Sequence, residues 1–299
     1  MIIIEVAGGL GNQLQQYALY RKFVCLGKDA SLDISWFSDD NQKNMLAKRH
    51  LELTCFDGLS YRVCTPEEKR VLAGSDSMAG KLRRKLLPFT THRFTESRMY
   101  HPELLSFEDM YIRGYFACEK YYADILPELR KNIRFPKSVN PLNTAMAEEM
   151  KNCESVSVHI RRGDYLDPEN AAVFGNICTD AYYNRSMEII KDMVPDAHFY
   201  LFSDDISYIK QHFKGEEYTI VDINHGRDSF YDMWLMSCCQ HNICANSTFS
   251  FWGARLNANA NKIMIRPTIQ KNSQVFVKEE MKEMWPGWLF ISPGGNSMS

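Results

Sequence analysis

Short apolar segments typical of strands alternate with helix-like segments through the second half of this chain, and this alternation limits the fold more than any other feature. Residues 155–160, 197–202 and 218–223 are short runs rich in β-branched and aromatic residues. Helical spacing of apolar residues covers 180–193 and 229–239. Strands separated by helices favour a mostly parallel sheet covered on both faces. Further elements are predicted as strands at 242–245 and 262–265 and helices at 144–151 and 249–260.

The chain opens with the same kind of unit. Residues 2–6 form a predicted strand, Gly8 and Gly9 a turn, residues 12–26 a predicted helix, and residues 30–34 a second strand. This order of strand, glycine-rich turn, helix and strand is typical of the beginning of a doubly wound α/β domain.

The length of the chain, 299 residues, is sufficient for two ordinary domains. The turn-rich segment Phe135–Pro141 follows a less regular middle region and predicts a boundary, which gives domains at 1–140 and 141–299. We therefore expect an α/β protein with two doubly wound domains that face a cleft. The tail at 292–299, rich in glycine and serine, is expected to be frayed.

The composition is that of an ordinary globular protein, with 45% hydrophobic and 24% charged residues. The formal net charge of −2 gives no overall basic excess, so a nucleic-acid partner is not indicated. Glu5 interrupts the first apolar run, no basic segment precedes it, and no run of about 18 apolar residues follows. We expect a cytoplasmic protein without a signal peptide or a membrane-spanning helix.

Metal-binding patterns are missing from the sequence. There is no Asp-x-Asp, no His-Glu-x-x-His and no Cys-x-x-Cys, and the eight histidines are scattered. The nine cysteines are odd in number, and several lie in apolar runs, which indicates reduced thiols. We expect neither a metal nor another cofactor, so cationic side chains and helix dipoles would have to stabilise a departing diphosphate.

The segment from His159 to Tyr165 (His-Ile-Arg-Arg-Gly-Asp-Tyr) contains the first candidate site. Side chains alternate along a strand, so His159 and Arg161 share one face and emerge near the carboxyl end of the strand, where open α/β sheets bind ligands. An arginine there suits a phosphate, because its planar fork donates two hydrogen bonds. Asp164 either accepts a proton from a substrate or forms a structural ion pair with an arginine. Arg162 points away from Arg161 and is expected to brace the loop.

The turn Asn246–Ser250 follows one predicted strand and opens a predicted helix. Free backbone N–H groups and the helix dipole make such a terminus an anion site, and the hydroxyls of Ser247, Thr248 and Ser250 add donors. The alternative is an ordinary helix N-cap without a ligand.

Two further turns carry candidates of the same kind. The segment Phe202–Asp205 ends a strand, and a carboxylate there is suited to accept the N–H groups of a guanine edge; the alternative is again a helix N-cap. Asn12 and Gln13 follow the flexible loop Gly8–Gly11, which lacks the spacing of dinucleotide and P-loop motifs. That loop either brings backbone close to a ligand or is a plain turn.

Together these segments resemble the bacterial α-1,2-fucosyltransferases of glycosyltransferase family 11. Gln15 stands where that family usually has phenylalanine, and Phe251 where it commonly has tryptophan. The resemblance is carried by Gly8–Leu14 with Tyr17 and Ala18, by Gly114–Phe116 with Glu119–Tyr122, by His159–Tyr165, by Phe202–Asp205, and by Asn246–Ala254 with Leu256 and Asn257.

The resemblance implies a GT-B-like fold of two Rossmann-type domains, an acceptor-side domain at 1–140 and a GDP-fucose-binding domain at 141–299. It implies metal-independent, inverting transfer of L-fucose from GDP-fucose to the 2-hydroxyl of a terminal galactoside in O-antigen or capsule synthesis. The acceptor would be a galactose-terminated oligosaccharide or a lipid-linked glycan. The donor-binding residues it implies are His159, Arg161, Asp204, Asn246, Ser247, Thr248, Phe249 and Ser250, and the acceptor-side residues are Gly11, Asn12 and Gln13.

For the chemistry, we expect Arg161, Asp164 and Asn12 to be catalytic, with Asp164 as the base and Glu169 as an alternative base. The basic cluster at 81–85 either makes a peripheral contact with an anionic membrane or forms a solvated helix face. The alternatives for the function are transfer of fucose to another position, transfer of another nucleotide-activated sugar, and a non-catalytic protein that binds nucleotide sugars.

Overall fold

A computed structural model describes residues 1–43, 48–74, 82 and 92–298 of the protein. The chain divides into two compact units, Met1–Arg134 and Phe135–Ser299, and this division falls at the start of the turn-rich segment Phe135–Pro141. The basic cluster at 81–85 lies outside the described residues, apart from Leu82, which is exposed. Within the described part of the chain, no helix is both long and apolar enough to cross a membrane.

The first unit is built on a four-stranded parallel sheet in the order β2-β1-β4-β3. Ile2, Ile3 and Ile4 of its central strand β1 are fully buried, which explains the apolar run at the start of the sequence. The strands are β1 (Ile2–Glu5), β2 (Ala30–Asp33), β3 (Arg93–Thr95) and β4 (Met110–Arg113), and the helices are α1 (Leu10–Cys25), α2 (Pro66–Ala73) and α3 (Leu126–Asn132).

The second unit is built on a six-stranded parallel sheet in the order β10-β9-β8-β5-β6-β7. The strands are β5 (Ser155–Ile160), β6 (His198–Ser203), β7 (Tyr218–Val221), β8 (His241–Ile243), β9 (Met264–Pro267) and β10 (Trp288–Ile291). The helices are α4 (Pro141–Lys151), α5 (Pro168–Phe174), α6 (Asp180–Met193), α7 (Ile206–His212), α8 (Phe230–Cys238), α9 (Thr248–Leu256) and α10 (Lys278–Met284).

The two faces of this larger sheet bury different sets of side chains. Val156, Val158 and Ile160 of β5 pack with residues of α6 in one hydrophobic cluster. Residues of α4, α8 and α9 form a second hydrophobic cluster, which includes Met236 and Phe249. The predicted alternation along β5 and the predicted class, α/β with parallel sheets, are therefore confirmed.

Some elements begin or end at other residues than predicted, and others were not predicted. Helix α9 stops at Leu256, earlier than the predicted 260, because the side chain of Asn257 turns to donate to the Gln240 carbonyl at 3.2 Å and to Asn242 at 2.9 Å. Helix α4 starts at Pro141 rather than 144, since the Asn140 side chain caps it. Eight described elements were not predicted from the sequence, namely helices α2, α3, α5, α7 and α10 and strands β3, β4 and β10.

The predicted frayed tail at 292–299 is wrong over its described part. Ile291 forms an antiparallel bridge with Ser297, and the Met298 amide donates to the Phe290 carbonyl at 2.9 Å. Backbone hydrogen bonds thus return the tail onto β10. Composition alone does not reveal such pairing, because glycine and serine also suit the tight turn at 292–295.

Candidate nucleotide-sugar site

The candidate site lies where the strand order of the second sheet reverses. Counted from β5, the strands lie in the order 3-2-1-4-5-6, and β5 and β8 are the adjacent strands at the switch point. The connection from β5 leads to α6 on one face, whereas α9 follows β8 directly. In this architecture ligands bind at the carboxyl ends of these two strands. The segments that begin at Arg161 and at Asn246 both leave the sheet there.

Arg161 is held between two carboxylates. Its Nη2 lies 2.6 Å from Oδ1 of Asp164, and its Nη1 lies 2.6 Å from Oδ2 of Asp204. The guanidinium also lies over the ring of Tyr165, 5.6 Å from the centroid. Because a guanidinium carries five N–H donors, the two ion pairs leave further donors for a ligand. The side chain is 29% exposed, so an anion can reach it.

Asp204 fixes the turn that carries Arg161. The register pairs Ile160 with Ser203, so both turns leave the sheet at the same level. Oδ1 of Asp204 accepts hydrogen bonds from the amides of Arg162 (2.9 Å) and Gly163 (3.1 Å). A Cβ at position 163 would lie only 2.4 Å from Oδ2 of Asp204, so glycine is required for this close approach. Both carboxylate oxygens of Asp204 are thus used within the turn.

Arg162 braces the same turn, as expected from strand alternation. Its Nε lies 3.1 Å from Oδ2 of Asp205, and its guanidinium is 3.7 Å from the centroid of the Tyr208 ring. Asp205 also accepts a hydrogen bond from the Tyr208 amide at 3.0 Å and so caps helix α7. The cap that the sequence left open in this segment therefore belongs to Asp205.

His159 presents a neutral ring at the edge of the sheet. Burial, and next the charge of Arg161, lower the pKa of His159 to about 3. Its ring centroid is 6.0 Å from that of Phe249 in α9. Nδ1 is buried and has no hydrogen-bond partner among the described residues. The imidazole therefore acts as an uncharged, mostly buried polar group between β5 and the first turn of α9.

In the turn before α9, some side chains stabilise the turn by internal hydrogen bonds and one does not. The Asn246 side chain is buried and donates to the carbonyls of Phe174 (3.0 Å) and Gln270 (3.2 Å). Ser250 is also buried and donates to the Ser247 carbonyl at 3.2 Å. Ser247 occupies the N-cap position of α9 but makes no side-chain cap bond. Ser247, which is partly exposed, is therefore the residue of this turn whose hydroxyl makes the helix N-terminus a candidate anion site.

The two candidate bases differ in their surroundings: Asp164 forms an ion pair with Arg161, whereas Glu169 is exposed on a helix. Asp164 lies in a single 3₁₀ turn, Gly163–Leu166, and is tied directly to Arg161. Glu169 lies in the first turn of α5 and is exposed. The structure thus shows the ion pair that was the alternative interpretation of Asp164, with a carboxylate that remains 38% exposed.

The predicted acceptor-side residues in the first unit mostly turn inward. Gly11 and Gln13 are buried, whereas Asn12 is partly exposed. The Gln13 amide donates to the carbonyls of Gly8 (2.9 Å) and His50 (2.8 Å), and its Oε1 accepts from the amides of Glu52 (2.8 Å) and Leu53 (3.3 Å). This is a structural role, because all four bonds hold the chain around the N-terminus of α1.

Gln15, the departure from the family pattern, is fully buried as well. Neither amide atom of its side chain has a hydrogen-bond partner in the described part of the chain. A buried amide without partners lowers stability. A phenylalanine there would avoid that cost.

Sequence analysis missed Asp232 in the first turn of α8. Burial raises the pKa of its carboxyl to about 7, while a hydrogen bond of 2.8 Å from Asn224 opposes this shift. Helix α8 packs against α9, and both helices share the cluster that contains Phe249. The only signal in the sequence is one carboxylate within the apolar run Phe230–Met236. A carboxyl group that titrates near neutrality at the carboxyl edge of a sheet is a candidate for ligand contact.

Comparison with known proteins identifies the class. A profile described as Glycosyl transferase family 11 matches residues 87–292, which include the Arg161 turn and the turn before α9. The chain is therefore a glycosyltransferase. It belongs to glycosyl transferase family 11.

Proteins similar in sequence to this chain are described as glycosyltransferases as well. The chain is 30% identical to the O-antigen biosynthesis glycosyltransferase WbnK of Escherichia coli, over 88% of this chain and 92% of the relative. It is also 30% identical to an alpha-1,2-colitosyltransferase of Escherichia coli, over 96% of each chain. A galactoside alpha-(1,2)-fucosyltransferase 1 of Leontopithecus chrysomelas is 23% identical over 46% of this chain and 38% of the relative.

Proposed function

We propose that this glycosyltransferase moves L-fucose from GDP-fucose to the 2-hydroxyl of a terminal galactoside, with inversion and without a metal, in the synthesis of a surface glycan such as O antigen. The observation that carries the proposal is that Arg161 and the N-terminus of α9 follow the adjacent strands β5 and β8 at the switch point of the larger sheet. The descriptions of the relatives support an α-1,2 linkage, a galactoside acceptor and O-antigen synthesis.

In the proposed reaction the acceptor hydroxyl attacks the anomeric carbon while the bond from that carbon to the β-phosphate oxygen breaks. GDP leaves with a negative charge that Arg161 and the positive end of the α9 helix dipole would stabilise. The acceptor proton passes to a base, for which Asp164 is the first candidate and Glu169 the second. Asn12, the one partly exposed side chain among the predicted acceptor-side residues, would position the acceptor.

The base role of Asp164 has a direct test. If Asp164 takes the proton, Asp164→Asn should lower turnover by about 10²-fold or more, with little change in the KM for GDP-fucose. Glu169→Gln is the matched control, because it removes the other candidate. Turnover of the Asp164 variant within a few-fold of wild type would exclude it as the base.

For guanine recognition, we propose Asp232 in place of Asp204. Asp204 already bonds two amides and Arg161 with its two oxygens. Asp232 uses one oxygen for Asn224, and no other hydrogen-bond partner is present among the described residues. Helix α8, which carries Asp232, packs against α9, and Phe249 of α9 lies beside His159, so α8 covers the same face of the sheet as the His159 ring. A carboxylate there can accept the two N–H groups of the guanine edge.

One experiment tests the function as a whole. Purified protein is incubated with GDP-fucose or GDP-colitose and a panel of β-galactosides, in a chelator and without added metal, and GDP release and product linkage are measured. We expect fucose on the 2-hydroxyl and undiminished activity in chelator. Preference for GDP-colitose would favour the second candidate donor, which the alpha-1,2-colitosyltransferase relative supports. GDP binding without transfer to any acceptor would contradict the proposal.

The remaining parts of the proposal concern the acceptor and its location. A galactose-terminated oligosaccharide or a lipid-linked glycan would be modified on the cytoplasmic side, with at most a peripheral membrane contact. Product formation on an acceptor bound to vesicles, compared with a water-soluble one, would test this.

A further inference from the structure

A cavity of about 460 Å³ opens in the first unit at the carboxyl end of β2. Its volume is within the range of small-ligand pockets. Strands β1 and β2 are paired, with Glu5 opposite Asp33, so the cavity and the turn that leads to Asn12 leave the same edge of the sheet. The polar residues that line it are Asp33, Ser35, Asn41, Thr65, Lys69 and Arg70.

The floor of the cavity is a fixed arrangement of charges. Nζ of Lys69 lies 3.0 Å from Oδ2 of Asp33 and 2.8 Å from Oγ of Ser35. The Tyr111 hydroxyl lies 2.6 Å from the same Asp33 oxygen. Burial raises the pKa of Asp33, but the hydrogen bonds from Tyr111, Ser35 and Lys69 outweigh it and lower the pKa. The carboxylate therefore stays charged and holds the Lys69 ammonium in one place.

Arg70 gives the cavity a surplus positive charge. It is exposed and forms no ion pair with any acidic residue that the structure describes. The charges of Lys69 and Asp33 cancel each other, so Arg70 is the group that an anionic ligand would find uncompensated. Ser35, Asn41 and Thr65 add groups that suit sugar hydroxyls.

The residues that the sequence indicates for the acceptor leave room for another site. Gly11 has no side chain, and the Gln13 amide is used within the fold. We propose that the cavity at β2 is an acceptor subsite, and that Arg70 binds an anionic group of the acceptor glycan. That group is either the diphosphate of a lipid-linked glycan or the carboxylate of an acidic sugar. This inference rests on the proposed function.

The test compares three acceptors on the full-length protein. They share one β-galactosyl disaccharide, which carries at its reducing end a neutral alkyl group, an alkyl diphosphate or a uronic acid. The variants are Arg70→Gln, the lining variant Asn41→Ala, and the control Arg98→Gln, an exposed arginine 3.7 Å from Glu103 and outside the cavity. Acceptor KM is measured at saturating GDP-fucose, and acceptor binding is measured by NMR without donor.

We expect wild type to prefer one of the two anionic acceptors, and Arg70→Gln to raise its KM by about tenfold while changing the neutral acceptor by less than about twofold. Asn41→Ala should affect all three acceptors alike, and Arg98→Gln none. The anionic acceptor whose KM rises more in Arg70→Gln identifies the source of the charge. Equal KM values for neutral and anionic acceptors in wild type, or equal effects of Arg70→Gln and Arg98→Gln, would overturn the subsite.

The subsite and the proposed function fail in different ways. Transfer that proceeds without any effect of Arg70 would remove the subsite and leave the function. Arg70-dependent binding of an anionic glycan in NMR, without transfer from GDP-fucose, would remove the function and leave the subsite.

Discussion

The turns that follow the first strand of each unit occupy equivalent places in the two sheets but present different chemistry. After β5, Arg161 and Arg162 project from the edge and are held by carboxylates. After β1, the amides of Gln13 and Gln16 turn inward and bond to backbone around them. The turn after β5 therefore presents an arginine between carboxylates at the sheet edge, whereas the amides after β1 mainly hold the loops around them.

The largest expected effect separates the two neighbouring arginines. Arg161→Ala should lower kcat/KM by about 10³-fold, or ~4 kcal/mol, because a preorganised cation at the leaving group is lost. The fold should persist, since the carboxylates released are partly exposed. Arg162→Ala should cost less, because the Arg162 side chain braces the turn through Asp205 and Tyr208. Steady-state kinetics and circular dichroism check both, and equal losses would erase the distinction.

The next effect uses Gln13 and Gln15, two glutamines of α1 that are separated by one residue and are equally buried. Gln13→Ala should destabilise the protein by about 3 kcal/mol, because four backbone groups lose their partner. Gln15→Leu should stabilise it by about 1 kcal/mol, because an amide without partners is removed. Denaturant unfolding measures both. A shift of the same sign in the two variants would show that the first-unit edge is not organised as described.

A smaller effect concerns the pH dependence of donor binding. The pKa of Asp232 is raised to about 7, so guanine, which needs the ionised carboxylate, should bind more tightly as pH rises. Between pH ~6 and ~8 we expect the Kd of GDP-fucose to fall by about tenfold. Calorimetry measures this, and Asp232→Asn should abolish the dependence. If the Kd of the Asp232→Asn variant depended on pH as in wild type, another residue would have to bind guanine.

The same carboxyl group makes a linked prediction for stability. The pKa of Asp232 in the folded state lies above the unfolded value of ~3.8. Its contribution to the free energy of unfolding is therefore fully present below pH ~3.8 and is lost as pH rises through about 7. Asp232→Asn should therefore stabilise the protein above pH ~7, by about 2 kcal/mol, less than the full shift because water reaches part of the group. The gain should vanish near pH ~4 in thermal unfolding.

The smallest effect tests the turn before α9. Ser247→Ala should raise the KM for GDP-fucose by about threefold and leave the melting temperature nearly unchanged, because the hydroxyl makes no cap bond. Ser250→Ala, which removes a buried internal bond, should lower the melting temperature instead. If Ser247→Ala also lowered stability, the hydroxyl would belong to the fold rather than to the anion site.

The sequence predicted the elements with strong periodicity almost to the residue. Strand β5 and helix α6 are found at the predicted positions, 155–160 and 180–193. Apolar alternation and helical spacing are local signals, and both elements are long enough to carry them. Helix α10 buries only Met281 and Met284, and strand β10 has only four residues, so the local pattern of each is short.

The candidate site was predictable as a set of turns but not as a set of contacts. The positions of His159, Arg161 and the turn at 246–250 follow from strand ends, which the sequence shows. The division of labour between Asp204 and Asp205, and the inward bonds of Asn246 and Gln13, depend on residues that are more than 20 positions away in the chain.

By itself, the sequence determined the α/β class, the boundaries of its periodic elements and the place of the charged turn at Arg161, because these depend on local periodicity and on strand alternation. Tertiary structure alone decided which carboxylates hold Arg161, which amides are buried with or without partners, and why Asp232 titrates near neutrality. Burial and hydrogen bonding between distant segments set those properties, and one chain segment does not encode its own neighbours.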